Sequence, residues 1–193
     1  STRYSHTNLR DYLQLDGNRQ FVWQKLLEVA LGLKYFHERR IVLDYISYEH
    51  ILVGTDGAAK TNGSGIELQE YYAGKGMGGT RWRSSECLRG EAPSVMSDIH
   101  SLAVCLYESM AGEVPWNGKP DYEASLLVKR VTRPKFLEEY GCPCLDPAKR
   151  VNLATVIERL KQFGNMEMQH KDKHKDTTSE DAVSGKYWMR SNV

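Results

Sequence analysis

The chain has 193 residues, 40% of them hydrophobic, and a formal net charge of +1 at pH 7. This length and apolar content suffice for the core of one domain, while the near-neutral charge argues against nucleic acid or an anionic membrane surface as a partner. The sequence has no run of about 20 apolar residues, so no membrane-spanning helix is predicted. The chain start lacks a signal-peptide layout, so we expect a cytoplasmic or nuclear location. The cysteines lack paired C-x-x-C spacing and predict neither a zinc site nor a disulfide framework; they are Cys87, Cys105, Cys142 and Cys144.

Two helices are predicted in the first forty residues. Thr7 or Asn8 can cap a short helix over Leu9–Leu15, since either side-chain oxygen can accept an unpaired N–H of the first turn. A second helix is predicted over Arg19–Glu38, because its apolar residues recur at helical spacing on one face; they are Val22, Leu26, Val29, Ala30, Leu33 and Phe36.

A small hairpin and a glycine-rich segment follow. Ile51–Val53 and Ala58–Thr61 are predicted as antiparallel strands, because the Asp-Gly pair between them is a strong turn signal. The segment Ile66–Thr80 is polar and rich in glycine, which predicts a mobile loop.

The second half of the chain reads as three helices and a tail. Ser97–Ala111 starts with a good capping residue, Ser97, is apolar almost all round and is predicted as a central, buried helix. Helices over Asp121–Val131 and Asn152–Phe163 are predicted to follow it. Phe136–Leu145 is too short and too broken for a full helix. From Gly164 onward the chain is polar and charged, which predicts a domain over 1–163 and a disordered tail over 164–193.

Four motifs resemble those of protein kinases. Ile41–Val53 resembles the catalytic loop H-R-D-x-x-x-x-N with its following strand, and Gly79–Glu86 resembles G-T-x-R-W-x-A-P-E of the tyrosine-kinase-like Ser/Thr group. Ser97–Glu108 and Asp146–Arg150 are similar to S-D-x-W/Y-S-x-G-x-x-L-x-E and D-P-x-x-R. The resemblance implies a mainly helical (α+β) fold over Thr7–Phe163, the C-terminal large lobe with helices D to I and a small hairpin. In this interpretation the small lobe is absent from the chain.

The same alignment of motifs implies that the catalytic groups are replaced. Tyr45 occupies the position of the base, and a tyrosine hydroxyl, with a pKa of about 10, stays neutral at pH 7. His50 stands at the metal-binding Asn, although imidazole suits zinc or copper better than magnesium. Gly63 stands at the Asp of D-F-G and offers no side-chain oxygen to Mg²⁺. Asp44, one residue before Tyr45, is a weak candidate for a substitute base.

The structural positions of the family are retained. Glu86 and Arg150 match the two partners of a buried ion pair, and Asp98 matches the carboxylate that accepts N–H bonds from the catalytic loop. The activation segment includes Ser64 and Gly65 at the Phe and Gly of D-F-G, and it ends with Thr80, Arg81 and Trp82.

The resemblance therefore predicts a catalytically inactive pseudokinase or truncated kinase that acts as a binding or scaffolding module in signalling. Its protein partners would bind the Asp121–Val131 region or the activation segment, with no nucleic acid, membrane or cofactor involved. One alternative is a weak ATP- and Mg²⁺-dependent Ser/Thr kinase once joined to a small lobe. Another is a decayed fragment without a selected role.

Overall fold

A computed structural model describes residues 7–61, 79–130 and 147–174, with side chains described as far as Asn165. The described residues form a mainly helical lobe with a small three-stranded sheet. Its elements in chain order are β1 (Thr7–Asn8), α1 (Leu9–Gln14), a 3-10 turn (Asn18–Phe21), α2 (Val22–Glu38), β2 (Ile51–Val53), β3 (Ala59–Thr61), α3 (Ser85–Leu88), α4 (Val95–Ala111), α5 (Asp121–Lys129), a 3-10 turn (Pro147–Lys149) and α6 (Leu153–His174).

The first helices lie close to their predicted bounds. Asn8 caps α1, and its side-chain oxygen accepts the backbone N–H of Asp11 at 2.9 Å. The predicted second helix begins at Val22 rather than Arg19, because the preceding residues form the 3-10 turn. The apolar face of α2 is buried in the core, as its helical spacing predicted.

The sheet has the order β1-β2-β3 and is antiparallel throughout. Sequence reasoning found the hairpin of β2 and β3 but not β1, which has only two residues and no periodicity to detect. The hairpin is held on α2 by Glu28, whose carboxylate accepts the backbone N–H of Ala59 at 2.7 Å and the ammonium of the buried Lys25 at 3.0 Å.

The central helix α4 is buried along most of its length, as predicted. It begins two residues earlier than predicted, at Val95 rather than Ser97, because Ser94 and not Ser97 is the capping residue. The Ser94 hydroxyl accepts the N–H of Ser97 at 3.3 Å, and the Ser97 hydroxyl accepts the N–H of Ser94 at 2.9 Å. This reciprocal capping satisfies two N–H groups at the helix start.

The last helix continues well past its predicted end. α6 runs to His174 rather than Phe163, so the prediction of disorder from Gly164 onward is wrong for residues 164–174. Glutamate, glutamine, lysine and methionine are good helix formers, and they extend the helix where no apolar face requires it. The Phe163 ring packs on Trp23 at the start of α2, with centroids 5.0 Å apart. Residues 136–145 and 175–193 lie outside the described residues.

Within 7–61, 79–130 and 147–174, none of the helices has both the length and the apolar character needed to cross a membrane.

Candidate functional site

The loop between α2 and β2, residues 41–50, is anchored by one carboxylate on α4. Asp98 is fully buried and accepts the backbone N–H of Leu43, at 3.0 Å through Oδ2 and 3.2 Å through Oδ1. The same carboxylate lies 2.8 Å from Nε2 of His37, near the end of α2. Asp98 thus joins α2, α4 and the loop at a single point.

Asp44 is committed to an ion pair. Its backbone is left-handed, with φ of 73°, and its buried carboxylate lies 2.6 Å from Nη2 of Arg83. Burial raises the pKa of Asp44; the Arg83 guanidinium lowers it, and the Asp98 carboxylate raises it further. The contact ties the loop to the chain after Gly79, and it engages the carboxylate that the sequence offered as a candidate substitute base.

Tyr45, which is predicted to stand at the position of the base, is enclosed by its neighbours. The His50 ring meets it edge-on with centroids 5.0 Å apart, and the Arg83 guanidinium carbon lies 5.2 Å from its centroid. Gly79 approaches so closely that a Cβ there would lie 2.9 Å from the Tyr45 hydroxyl oxygen and closer still to the ring carbons. Tyr45 is therefore wedged between the loop and the backbone of the segment end.

His50, at the position of the metal-binding Asn, is held in a local turn. Its Nδ1 lies 3.0 Å from the Ser47 hydroxyl, and its backbone N–H donates to the Ser47 carbonyl at 3.0 Å. Burial lowers the pKa of His50, an effect that the nearby Glu49 opposes. The His50 ring is therefore held against a buried serine.

Thr80 carries a buried hydroxyl without a partner. The residue is only 6% exposed, and no hydrogen-bonding group among the described residues reaches its Oγ1. An unpaired buried hydroxyl costs about 1–3 kcal/mol. Neither Tyr45 nor Asp44 supplies an acceptor for it.

Glu86 and Arg150 come together in a buried two-bond pair. Arg150 donates from Nη2 to Oε2 of Glu86 at 2.9 Å and from Nη1 to Oε1, and Nη1 also donates to the Met96 carbonyl at 3.0 Å. Burial alone would raise the pKa of Glu86, but the hydrogen bonds and charge of Arg150 outweigh it and lower the pKa to about 2. The pair holds α3 against the start of α4.

Arg81 fixes the start of α5. Its guanidinium donates to the carbonyls of Pro115 at 2.6 Å, Trp116 at 3.0 Å and Lys119, and its Nε donates to the Asp121 carboxylate at 2.8 Å. The five N–H donors of a guanidinium can serve these four acceptors at once, whereas a lysine ammonium has only three donors.

Trp82 is bound to α4 through both its ring and its backbone. Its indole N–H donates to Glu108 at 3.0 Å, and Arg10 donates to the other oxygen of that carboxylate at 2.6 Å. The Ser101 hydroxyl donates to the Trp82 carbonyl at 2.9 Å. Sequence reasoning did not find Arg10 or Arg83, because each acts through a partner that is distant along the chain and no spacing signals it.

The D-F-G positions Gly63, Ser64 and Gly65 lie outside the described residues, as does the activation segment up to residue 78.

Comparison with known proteins is decisive for the family. The family model described as protein tyrosine and serine/threonine kinase matches residues 3–174, most of the chain. The chain belongs to the protein kinase family. Its mainly helical lobe with a small sheet has the fold expected of the C-terminal lobe of a kinase.

Several curated kinases are similar to this chain. Serine/threonine-protein kinase STY17 of Arabidopsis thaliana is 29% identical over 80% of the chain and 30% of its own length. A probable serine/threonine-protein kinase of Dictyostelium discoideum is 28% identical over 69% of the chain and 9% of its own length. Rhodopsin kinase of Rattus norvegicus is 33% identical over 64% of the chain and 25% of its own length. The chain spans less than a third of each of these kinases.

The kinase family uses ATP with Mg²⁺, and the residues at its metal positions do not fit that ion. His50 presents an imidazole bonded to Ser47, whereas Mg²⁺ prefers carboxylates and water. Gly63 has no side-chain oxygen. Asp44 is already neutralised by Arg83. In the described part of the chain, no group of three or more His, Cys, Asp or Glu side chains could hold a metal ion.

We expect Gly79→Ala to destabilise the protein kinase-like lobe by about 2–4 kcal/mol, because the new Cβ would meet the Tyr45 ring and the residue has φ of 78°. Urea unfolding measures the loss. Gly57→Ala is the matched control, because Gly57 has φ of 73° but open space around its Cβ position, so only the backbone cost of about 1–2 kcal/mol remains. Equal losses in the two variants would contradict the packing of Tyr45 on Gly79.

Proposed function

We propose that this kinase-family chain is a catalytically inactive pseudokinase domain that acts as a protein-binding module. The observation that supports it is the state of the two groups nearest the base position. Tyr45 is packed among Gly79, Arg83 and His50, and Asp44 is held by Arg83.

Phosphoryl transfer depends on positioning and on charge neutralisation, with a carboxylate near the attacking hydroxyl. A neutral tyrosine at that point provides no base at pH 7. Freeing Asp44 for the role would leave the guanidinium of Arg83 without its partner, and breaking an ion pair of this kind is costly. Loss of several catalytic groups together leaves very little rate.

The proposed module needs neither ATP nor Mg²⁺, in keeping with the poor fit of His50 and Gly63 to the metal. Its partners are proteins rather than nucleic acids or membranes, and its setting is the cytoplasm or nucleus. The surfaces available to such partners are α5 and the activation segment over Ile66–Thr80. α5 presents two large side chains to solvent, Tyr122 at 54% and Leu126 at 47% exposure.

The second candidate is a Ser/Thr kinase with weak activity, and it is favoured by the kinase names of the similar proteins. In that case a small lobe supplies the ATP site, and Asp44 leaves Arg83 to act as the base. This candidate predicts that Asp44→Asn abolishes phosphate transfer.

We expect no binding of ATP by the chain up to millimolar concentration with Mg²⁺, with Mn²⁺ or with EDTA, measured by calorimetry and by thermal shift. The physical reason is the absence of a suitable oxygen donor at residues 50 and 63. A metal-dependent heat of binding would contradict the proposal.

A chimera tests catalysis itself. The small lobe of the Arabidopsis kinase is joined ahead of this chain, and phosphate transfer to a generic protein substrate is measured. We expect the chimera to be inactive and the variant Tyr45→Asp, His50→Asn, Gly63→Asp to gain activity, because these changes supply the base and the metal donors. Activity in the unaltered chimera that is lost on Asp44→Asn would favour the second candidate.

A further inference from the structure

One face of α5 carries both an apolar pair and a basic end. Four exposed residues lie on one side of this helix, because the last three follow the first by four, seven and eight positions. They are Tyr122, Leu126, Lys129 and Arg130. The opposite side is buried through Ala124, Ser125 and Val128. The exposed side is therefore a continuous strip and not a set of scattered residues.

The charges along this strip are asymmetric. At its start the carboxylates are already used, since Asp121 pairs with Arg81 at 2.8 Å and Glu123 with Lys119 at 3.4 Å. At its end Lys129 and Arg130 have no acidic partner among the described residues.

A third cation is added by a different helix. Arg89, at the end of α3, donates to the carbonyl of Lys129 at 3.4 Å, which places its guanidinium beside the basic end of α5. A helix end alone favours cations through its dipole, but that effect does not account for an arginine contributed by α3. Glu91 lies 3.6 Å from Arg89, but both side chains are exposed, and an ion pair of this kind is screened by solvent and contributes little.

The strip is also held in place before any partner arrives. Arg81 fixes the loop before α5 through three carbonyls, and the Ser125 hydroxyl donates to the Tyr122 carbonyl at 2.8 Å. A surface that needs no reorganisation loses less entropy on binding. Tyrosine and arginine are moreover the residue types that contribute most at protein interfaces.

We propose that α5 binds an acidic peptide segment whose two apolar side chains cover Tyr122 and Leu126 and whose carboxylates face Lys129, Arg130 and Arg89. This inference rests on the proposed function as a binding module and names the chemistry of its partner. Charge complementarity selects the occupant, because the carboxylates at the start of the strip are paired, whereas Lys129 and Arg130 have no acidic partner in the described part of the chain.

The test is a random 16-residue peptide library displayed on phage and selected on the intact chain, after depletion on the variant Tyr122→Ser/Leu126→Ser. Enriched peptides should combine two apolar residues with an excess of Asp and Glu. Affinities are then measured by fluorescence anisotropy with the synthetic peptides. We expect the variant Lys129→Glu/Arg130→Glu to bind the peptides at least tenfold more weakly. Raising NaCl from about 50 to about 500 mM should also weaken binding, because salt screens the charges.

The matched control is Leu31→Ser/Lys34→Glu on α2, which removes an equally exposed apolar residue and an exposed cation from another helix. It should leave the affinity unchanged. The proposal is overturned if no peptide is enriched, if enriched peptides are neutral or basic, or if the α5 and α2 variants bind equally. Self-association lost on Leu126→Ser, seen by sedimentation, would also overturn it by making a second copy the occupant. ATP binding, in contrast, would refute the inactive domain without touching this result.

Discussion

Glu86→Gln should destabilise the protein by about 3–5 kcal/mol, because it leaves the buried guanidinium of Arg150 without its carboxylate. The Met96 carbonyl, which also accepts from Arg150, carries no negative charge to replace that of Glu86. Unfolding in urea, followed by far-UV circular dichroism, measures the change in the free energy of unfolding.

Glu91→Gln is the matched control for this variant. Glu91 also pairs with an arginine, Arg89, but at 3.6 Å with both side chains exposed, so the expected change is within about 0.5 kcal/mol. The double variant Glu86→Gln/Arg150→Gln should recover part of the loss, because the buried guanidinium is then removed together with its carboxylate partner. A loss below about 1 kcal/mol in Glu86→Gln would contradict a structural role for the pair.

The free energy of unfolding should decrease in acid because of a second buried group, the imidazole of His100. Its ring is fully buried, and burial together with the charge of Arg150 lowers the pKa of His100 to about 4, against the partial opposition of Glu86 and the Trp82 carbonyl. Above pH 6.5 both the folded and the unfolded states are neutral at this residue. As the pH falls from 6.5 to 4, the unfolded state binds a proton that the folded state does not.

The free energy of unfolding should therefore decrease over this interval by about 3 kcal/mol from His100, whose folded pKa is about 4. Glu86, with a pKa of about 2, adds a further loss below pH 4.5 in the same direction. Urea unfolding at half-unit steps of pH from 7.5 to 4 records the profile.

His100→Phe should flatten the profile between pH 6.5 and 4 with little cost at pH 7. It removes the unpaired Nε2, and the Trp82 carbonyl still accepts the Ser101 hydroxyl at 2.9 Å. Ser101→Ala is the control, because it removes a bond to the same carbonyl but no titrating group, and its profile should keep the acid decline. An unchanged slope in His100→Phe would show that other groups carry the acid sensitivity.

The fold was largely predictable from local patterns. The apolar spacing of α2 and α4 and the Asp-Gly turn between β2 and β3 are short-range signals, and each led to an element of the expected type. The errors lie at boundaries. Serine suits both members of a reciprocal cap, which is why the prediction of Ser97 as the cap of α4 is wrong. The helix α6 continues to His174 because residues of good helix propensity follow Phe163.

Contacts within the candidate site could be predicted only where both residues belong to recognisable motifs. The order of motifs suggested that Glu86 and Arg150 would meet, and they do. The commitment of Asp44 to Arg83 and the wedging of Tyr45 against Gly79 depend on backbone placement across a gap of more than thirty residues. No local sequence pattern in either segment predicts that placement, so these two contacts became known only from the structure.

The Glu86–Arg150 pair also has a consequence for how the chain is made. Its partners are 64 residues apart, and His37 and Asp98 are 61 apart, so these contacts close long loops and form late in folding. Synthesis proceeds at about 5–20 residues per second, and Glu86 emerges from the ribosome several seconds before Arg150. During that interval Glu86 lacks Arg150, so the native ion pair cannot form until residue 150 has been synthesised.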